Sequence, residues 1–295
     1  MLIHHLGCSG GKDSTALLLW AIHESGLPRE SLRVTFCDTH NEDKLTYEHL
    51  DMLRKKVAEP AGIVGGIEVL EPKHGFYEMV LKHHCFPNRR MQFCTHELKL
   101  YPTQKWVQAR QNEGHTVVVL NGKRTAESNA RKLSMAGKPE REMSMFWGCE
   151  EWAPLMFWSI QDVLAIHQRY KVPLNPLYAL GAHRVGCFPC VNCGKSDLRM
   201  VAQVRPEKIK EIAKWERDFF KDTGIISTFF MCEKASKHFR TIKFVNSKGK
   251  EVSTAPIEKV VEWAFTKRGG KKEVATFGIE TSEPKACWMN YGACE

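Results

Sequence analysis

No stretch of this 295-residue chain is apolar enough to cross a membrane. The longest apolar run, Ala16 to Ile22, falls far short of the roughly 18 residues that a spanning helix needs. The opening residues, Met1 to Gly11, lack the basic-then-apolar order of a secretion signal, so the expectation is a cytoplasmic protein with no membrane partner. Internal repeats and low-complexity tracts are also lacking, which sets aside solenoid arrays and compositionally disordered segments. A disulfide framework lacks its usual setting. The cysteine count is 11, an odd number in a large chain without an export signal, which argues for reduced thiols or metal ligation.

What is present is a soluble composition with room for one large domain or one and a half ordinary ones: 43% hydrophobic, 26% charged and 10% aromatic. The formal charge is +9, and it is unevenly placed. Between Lys195 and Lys272 there are 19 Lys and Arg against 10 Asp and Glu, so this segment carries the whole excess. A solvated helical face would give that pattern, and so would a surface for a polyanion such as DNA or RNA; charge alone does not separate them.

The first half alternates short β-type runs with amphipathic stretches. Strands are expected at Leu2–Leu6, Leu32–Cys37, Ile67–Leu70 and Val117–Leu120. Helices are expected at Ser14–Glu24, at Tyr47–Val57 and over Glu97–Glu113, where Pro102 must kink the helix or start a new one. That alternation predicts an α/β fold with a doubly wound, mostly parallel sheet. Further helices are expected at Ser159–Tyr170 and Pro206–Phe220, a strand at Thr241–Val245, and the end of a last helix between Trp263 and Gly270. The division read from this change of character is 1–186 for a nucleotide-binding domain and 187–295 for a smaller, basic α+β region.

Ser9-Gly10-Gly11-Lys12-Asp13-Ser14-Thr15 lies directly after the first strand and directly before the first helix. Free backbone amides and the positive end of the helix dipole converge there, and two glycines allow an anion close to the backbone. Ser9, Ser14 and Thr15 offer hydroxyls, and Lys12 offers a point charge for phosphate oxygens. A carboxylate beside phosphates, Asp13, must be neutralised, and Mg²⁺ would do so.

This string does not fit the Walker A pattern. It resembles the PP-loop of the ATP-pyrophosphatase, or adenine nucleotide α-hydrolase, superfamily, which implies a Rossmann-like fold and cleavage at the α-phosphate. Asp38-Thr39-His40-Asn41-Glu42 with Thr46-Tyr47 is similar to the D-T-G-x-E…T-Y of the phosphoadenosine phosphosulfate reductase-like branch. Gly122-Lys123-Arg124-Thr125-Ala126-Glu127-Ser128 with Arg131 looks like its G-x-R-x-x-E-S-x-x-R. The run Pro154-Leu155, Trp158, Asp162-Val163, Asn175-Pro176-Leu177-Tyr178, Gly181 and Arg184-Val185-Gly186-Cys187 follows the branch's order too. The resemblance spans roughly residues 1 to 215. It implies that Asp38 and Gly122 sit by the nucleotide, that Arg124 and Arg131 clamp phosphates, that Glu127 orients them or binds metal, and that Lys12, Asp13 and Arg124 carry catalysis.

Cys187-Phe188-Pro189-Cys190-Val191-Asn192-Cys193 is C-x₂-C-x₂-C, and three thiolates on one turning loop can face one metal centre. Cys94, in a segment resembling the branch's W-C-T-x-x-L-K, is the candidate fourth ligand. A [4Fe–4S] cluster, a structural Zn²⁺ at the same four cysteines, and a three-cysteine cluster with an open iron position all fit that spacing. Cys8 and Cys37 read as core, Cys85, Cys149 and Cys232 as structural, and Cys287 with Cys294 as a terminal segment that could carry sulfur or electrons. His4-His5 and His83-His84 read as structural or solvated.

The resemblance has two departures. The loop keeps the Lys-Asp form suited to pyrophosphate, which sulfonucleotide reductases tend to lose, and the tail Gly292-Ala293-Cys294-Glu295 lacks their E-C-G-x-H. The expected function is therefore cleavage of ATP to AMP and pyrophosphate, adenylating an acceptor for sulfur transfer. With the basic segment, the acceptor would be nucleic acid, as in the ATP-pyrophosphatase component of DNA phosphorothioation systems. The sulfur donor would be a persulfide-carrying protein, or a thiol reductant would act. The alternatives are a phosphoadenosine phosphosulfate reductase releasing sulfite and a non-catalytic nucleotide-sensing module.

Overall fold

The computed structural model describes residues 1–230, 239–246 and 249–266. Its first element, β1 (Leu2–Gly7), buries Ile3, His4, His5 and Leu6. Two histidines can sit inside because each has a hydroxyl partner: His4 Nδ1 lies 2.9 Å from Ser31 Oγ and His5 Nε2 lies 2.9 Å from Thr35 Oγ1. α1 (Lys12–His23) follows at once and turns Thr15 to Leu19, Ala21 and Ile22 into the core. β2 (Leu32–Cys37), α2 (Lys44–Leu53), β3 (Ile67–Leu70) and α3 (Phe76–His83) come next.

The turn α4 (Phe93–Thr95) runs through a wider π-helical stretch, His96–Leu100, into α5 (Tyr101–Asn112). Pro102 sits in the first turn of α5, so of the two expectations the structure has the fresh helix start. β4 (Thr116–Leu120), α6 (Asn129–Met135), β5 (Arg141–Ser144) and β6 (Cys149–Trp152) complete the sheet. α7 (Ile160–Arg169) is started by Ser159, which exchanges hydrogen bonds with Asp162.

The sheet order is β3-β2-β1-β4-β6-β5. All neighbours run parallel except β5, which returns antiparallel along the edge. Leu6 pairs with Val34 on one side and Leu120 on the other, so β1, β2 and β4 end level with one another. The chain steps outward from β1 to β2 and β3, then crosses to β4 on the opposite side of β1. Open α/β sheets bind ligands at such a reversal, outside the carboxyl ends of the strands.

The rest of the described chain is α8 (Lys195–Val204), α9 (Pro206–Thr223), an antiparallel pair β7 (Ile242–Val245) and β8 (Glu251–Thr254), and α10 (Ile257–Ala264). Residues from both sides of position 186 share one hydrophobic cluster, in which Phe76, Met79 and Phe86 pack with Phe188, Ile212, Phe219 and Val260. No helix among the described residues is long and apolar enough to cross a membrane. Cys232, Cys287, Cys294 and the last four residues of the expected Trp263–Gly270 helix end lie outside the described residues.

Candidate nucleotide and thiol site

The loop after β1 is shaped by its glycines. Gly10 takes a φ of +71°, with Leu50, Thr46 and Asn175 within 3.4–3.6 Å of where a Cβ would stand. Gly11 caps α1, close to the Tyr178 hydroxyl and the Val185 carbonyl. The Ser14 hydroxyl accepts from the Ser9 amide at 3.2 Å and donates to the Gly11 carbonyl at 3.0 Å. Thr15 faces the core instead, and its Oγ1 has no hydrogen-bond partner among the described residues.

Asp13 is already matched by cations. Its Oδ1 accepts from Arg124 Nε at 2.6 Å and its Oδ2 from Lys12 Nζ at 2.9 Å. The charge argument that called for Mg²⁺ at Asp13 is therefore met by two side chains of the chain itself. Arg124 is 3% exposed and its other contact is the Trp158 carbonyl at 3.1 Å. The guanidinium thus braces Asp13 and does not line the cationic cavity at the start of α1, whereas Arg131 does, beside Glu127.

That cavity, about 570 Å³, is lined by Ser9, Gly11, Lys12, Asp13 and Ser14 together with Lys123, Arg131, Tyr178 and Arg184. Four cations against two carboxylates, Asp13 and Glu127, suit an anion. The Tyr178 hydroxyl accepts from the Lys12 amide at 3.1 Å, so this one amide at the helix start is occupied. From below, His167 Nε2 lies 2.9 Å from the Lys12 carbonyl and holds the first turn of α1 onto α7. Gly122 completes the wall, and a Cβ there would stand 3.3 Å from the Asp13 carbonyl oxygen.

A second cavity of about 290 Å³ lies over the ends of β1, β2 and β4 and shares Ser9, Gly122 and Lys123 with the first. Its walls include Phe36, Leu100, Val119, Leu120 and Trp147, with His5, Thr35 and Glu42 as polar groups. Burial lowers the His5 pKa to about 4, so its ring is neutral. An apolar chamber with a few convergent polar groups, opening onto a cationic one, is what a nucleoside followed by phosphates requires. Asp38 lines neither cavity. It accepts from the Tyr47 hydroxyl at 2.6 Å and the His40 amide at 2.8 Å, and, itself half-buried, groups with the exposed His40 and Glu71. From the same segment, Glu42 faces the apolar cavity, and burial raises its carboxyl above the usual range.

The four predicted cluster cysteines line neither cavity, but Lys99, on the wall of the second, interacts with Cys187. Burial, reinforced by Cys187 and Cys190, pushes the Cys94 thiol up to about 11. Thr39 Oγ1 lies 3.5 Å from Cys187 Sγ, Arg184 donates to Cys190 Sγ at 3.4 Å, and Cys193 is buried. Lys99, on the π-helical stretch, is held above the usual lysine range by the charge of Cys187, with Glu42 and Cys190 adding to it. It lines the apolar cavity as well. Among the described residues, no three sulfurs of the predicted set lie within 4.8 Å of one another. Tetrahedral zinc, with Zn–S near ~2.3 Å, needs its sulfurs only about 3.8 Å apart. Cys94, Cys187, Cys190 and Cys193 are a four-thiol donor set, a chemistry that suits an iron–sulfur cluster as well as zinc.

Lys123, Glu151, Lys99, Tyr178 and His167 line or brace the site and were not singled out by sequence. Tyr178, Lys99 and Lys123 lay inside quoted motifs, so motif membership was the available signal; for Glu151 and His167 there was none beyond proximity to such motifs.

A family model described as the phosphoadenosine phosphosulfate reductase domain matches residues 4–193. Over almost its whole length the chain is 29% identical to an uncharacterized 37.8 kDa protein of Escherichia phage 186, with 99% of this chain and 97% of that protein covered. An adenosine 5'-phosphosulfate reductase of Bacillus mycoides is 27% identical over 188 residues, covering 62% of this chain and 70% of that protein. Among solved structures, the phosphoadenylyl-sulfate reductase of Candida auris in a phosphate complex matches with a TM-score of 0.44 at 22% identity, over 63% of this chain and 82% of that one.

Proposed function

The chain belongs to the phosphoadenosine phosphosulfate reductase domain family, and from that premise we propose that it cleaves ATP to AMP and pyrophosphate, adenylating an acceptor for sulfur transfer. The observation that carries this reading is the pair of joined cavities, one apolar over the strand ends and one cationic at the start of α1. Adenosine fills the first, and the β- and γ-phosphates lie against Lys12, Ser14 and Arg131 in the second. An acceptor oxygen attacks the α-phosphorus, the bond to the bridging oxygen breaks, and pyrophosphate leaves. Fixed ammonium and guanidinium groups stabilise the charge that grows on the leaving group. Arg124 holds the loop carboxylate, so Lys12 keeps its place beside the phosphates. A sulfur nucleophile then displaces AMP, which carries away the acceptor's oxygen.

Cys94, Cys187, Cys190 and Cys193 would hold a [4Fe–4S] cluster, which when bound supplies a site for sulfide or electrons next to the nucleotide. Glu127, the carboxylate of the cationic cavity besides Asp13, would hold Mg²⁺, which would offset phosphate charge there. Exposed Lys210, Lys214, Arg217 and Lys221 fall on one face of α9 and support a nucleic-acid acceptor. A second reading, reduction of a sulfonucleotide to sulfite, is favoured by the similarity to the Bacillus mycoides reductase.

The test is product analysis with ATP labelled in the α-phosphate, in the presence of DNA or tRNA and a sulfide source. AMP and pyrophosphate in equal amounts support the proposal. ADP with inorganic phosphate opposes it, and sulfite released from phosphoadenosine phosphosulfate with a thiol reductant selects the second reading.

A further inference from the structure

The two cavities meet at Ser9, Gly122 and Lys123. A nucleotide with its base over the strand ends and its terminal phosphates at the loop has its α-phosphate at that junction. Lys123 is the only cation among the three. A third cavity of about 260 Å³, bounded by Arg131, Ser134 and Lys138, opens on the same side chain, so Lys123 lines all three. Its position is fixed rather than incidental. Lys123 Nζ donates to Glu151 Oε1 at 2.8 Å, Asn121 Nδ2 donates to that same oxygen at 2.6 Å, and Asn121 Oδ1 accepts from the Lys123 amide at 3.1 Å. Glu151 is 16% exposed while Lys123 is 42% exposed, so the carboxylate anchors from within and the ammonium faces the opening.

We infer that Lys123 binds the α-phosphate of the nucleotide, with Glu151 and Asn121 positioning it, while Lys12 serves the terminal phosphates. The inference rests on the nucleotide placement proposed above and adds a division of labour between two lysines. No other nearby cation lines both cavities: Lys99 lines only the apolar one, and Arg131 and Arg184 line the cationic one without reaching the apolar one. Lys12 lines only the cationic cavity, where its ammonium is bonded to Asp13 and lies 5.6 Å from the centre of the Tyr178 ring. Arg124 is buried against Asp13. In the displacement, the acceptor oxygen forms its bond to the α-phosphorus as the bond to pyrophosphate breaks. Lys123 transfers no proton; it offsets charge on the non-bridging oxygens throughout.

Isothermal titration of the full chain with AMP, adenosine and inorganic pyrophosphate separates the two lysines. The unaltered chain is expected to bind AMP more tightly than adenosine. Lys123→Met should weaken AMP by about 10- to 100-fold, the range of a charge-assisted hydrogen bond, and leave adenosine and pyrophosphate unchanged. Lys123→Arg should keep most of the AMP affinity, and Lys12→Met should weaken pyrophosphate while sparing AMP. The inference is overturned if AMP has no advantage over adenosine, if Lys123→Met leaves AMP binding intact, or if it weakens pyrophosphate as much as AMP. Should Lys123→Met not fold, Glu151→Gln with an unchanged AMP affinity overturns the positioning role, and a several-fold loss supports it. A chain that makes no AMP from ATP yet loses AMP affinity on Lys123→Met removes the adenylating reading and leaves this one standing.

Discussion

Asp13 and Glu216 are acidic side chains drawn in from water on the first and ninth helices, and their surroundings differ. Asp13, in the first turn of α1, is gripped by Lys12 and Arg124. Glu216, in the middle of α9 and 7% exposed, accepts instead from two backbone amides, Phe229 at 2.8 Å and Ile257 at 2.9 Å. Burial lifts its pKa to about 7, because the two amides offset only part of the cost of withdrawing a charge from water. The contrast separates two uses of a carboxylate. At the phosphate loop it gathers cations around a cavity suited to an anion; in the C-terminal region it ties α9 to the start of α10.

The sharpest break in that contrast comes from Arg124→Met. Removing one partner of a largely buried pair leaves Asp13 with Lys12 alone, and a loss of about 3 kcal/mol in urea denaturation is expected. A loss below about 1 kcal/mol would mean that Lys12 suffices. The Glu216 side of the comparison is tested by pH. The folded carboxyl titrates near 7 and the unfolded one near 4.5, so its contribution is complete below 4.5 and lost as pH climbs through about 7. The span is on the order of 3 kcal/mol. Glu216→Gln should flatten the difference in urea midpoint between pH 4.5 and pH 7.5 relative to the unaltered chain, and an unchanged difference would place the titration elsewhere.

The smallest effect concerns the thiols, where acidic groups surround a single half-buried ammonium, Lys99, instead of the reverse. With a pKa near 11, Cys94 in metal-free protein should react with a disulfide reagent at pH 8 about tenfold more slowly than a free cysteine. The smaller thiolate fraction outweighs the greater nucleophilicity of each thiolate. A rate at or above that of free cysteine would contradict the packing of Cys94 against Cys187 and Cys190.

The parallel sheet was legible because β1, β2, β3 and β4 are apolar runs closed by Gly, Asp or Pro within a few residues. α3 was missed because it is short and its buried face, Phe76, Met79 and Val80, meets residues more than a hundred positions away. The edge hairpin of β5 and β6 was missed because Arg141, Glu142 and Met143 are exposed and carry no strand-like alternation. At the site, the phosphate loop was readable, since its chemistry is local to one turn. The role of Arg124 was not, because its partner lies 111 residues earlier. Motif position put Asp38 by the nucleotide; in the fold Tyr47 and His40 draw it aside, and Glu42 takes the place on the cavity wall. The 4–193 family match bears out the resemblance read from the motifs, and the sheet order bears out the fold class.

The nucleotide's placement is tested most directly by a crystal of the chain grown with α,β-methylene ATP. The expected density has the terminal phosphates against Ser9, Lys12 and Ser14 and the adenine between Phe36 and Leu120. Phosphates bound away from the start of α1, or a base lodged outside the chamber over β1, β2 and β4, would contradict it.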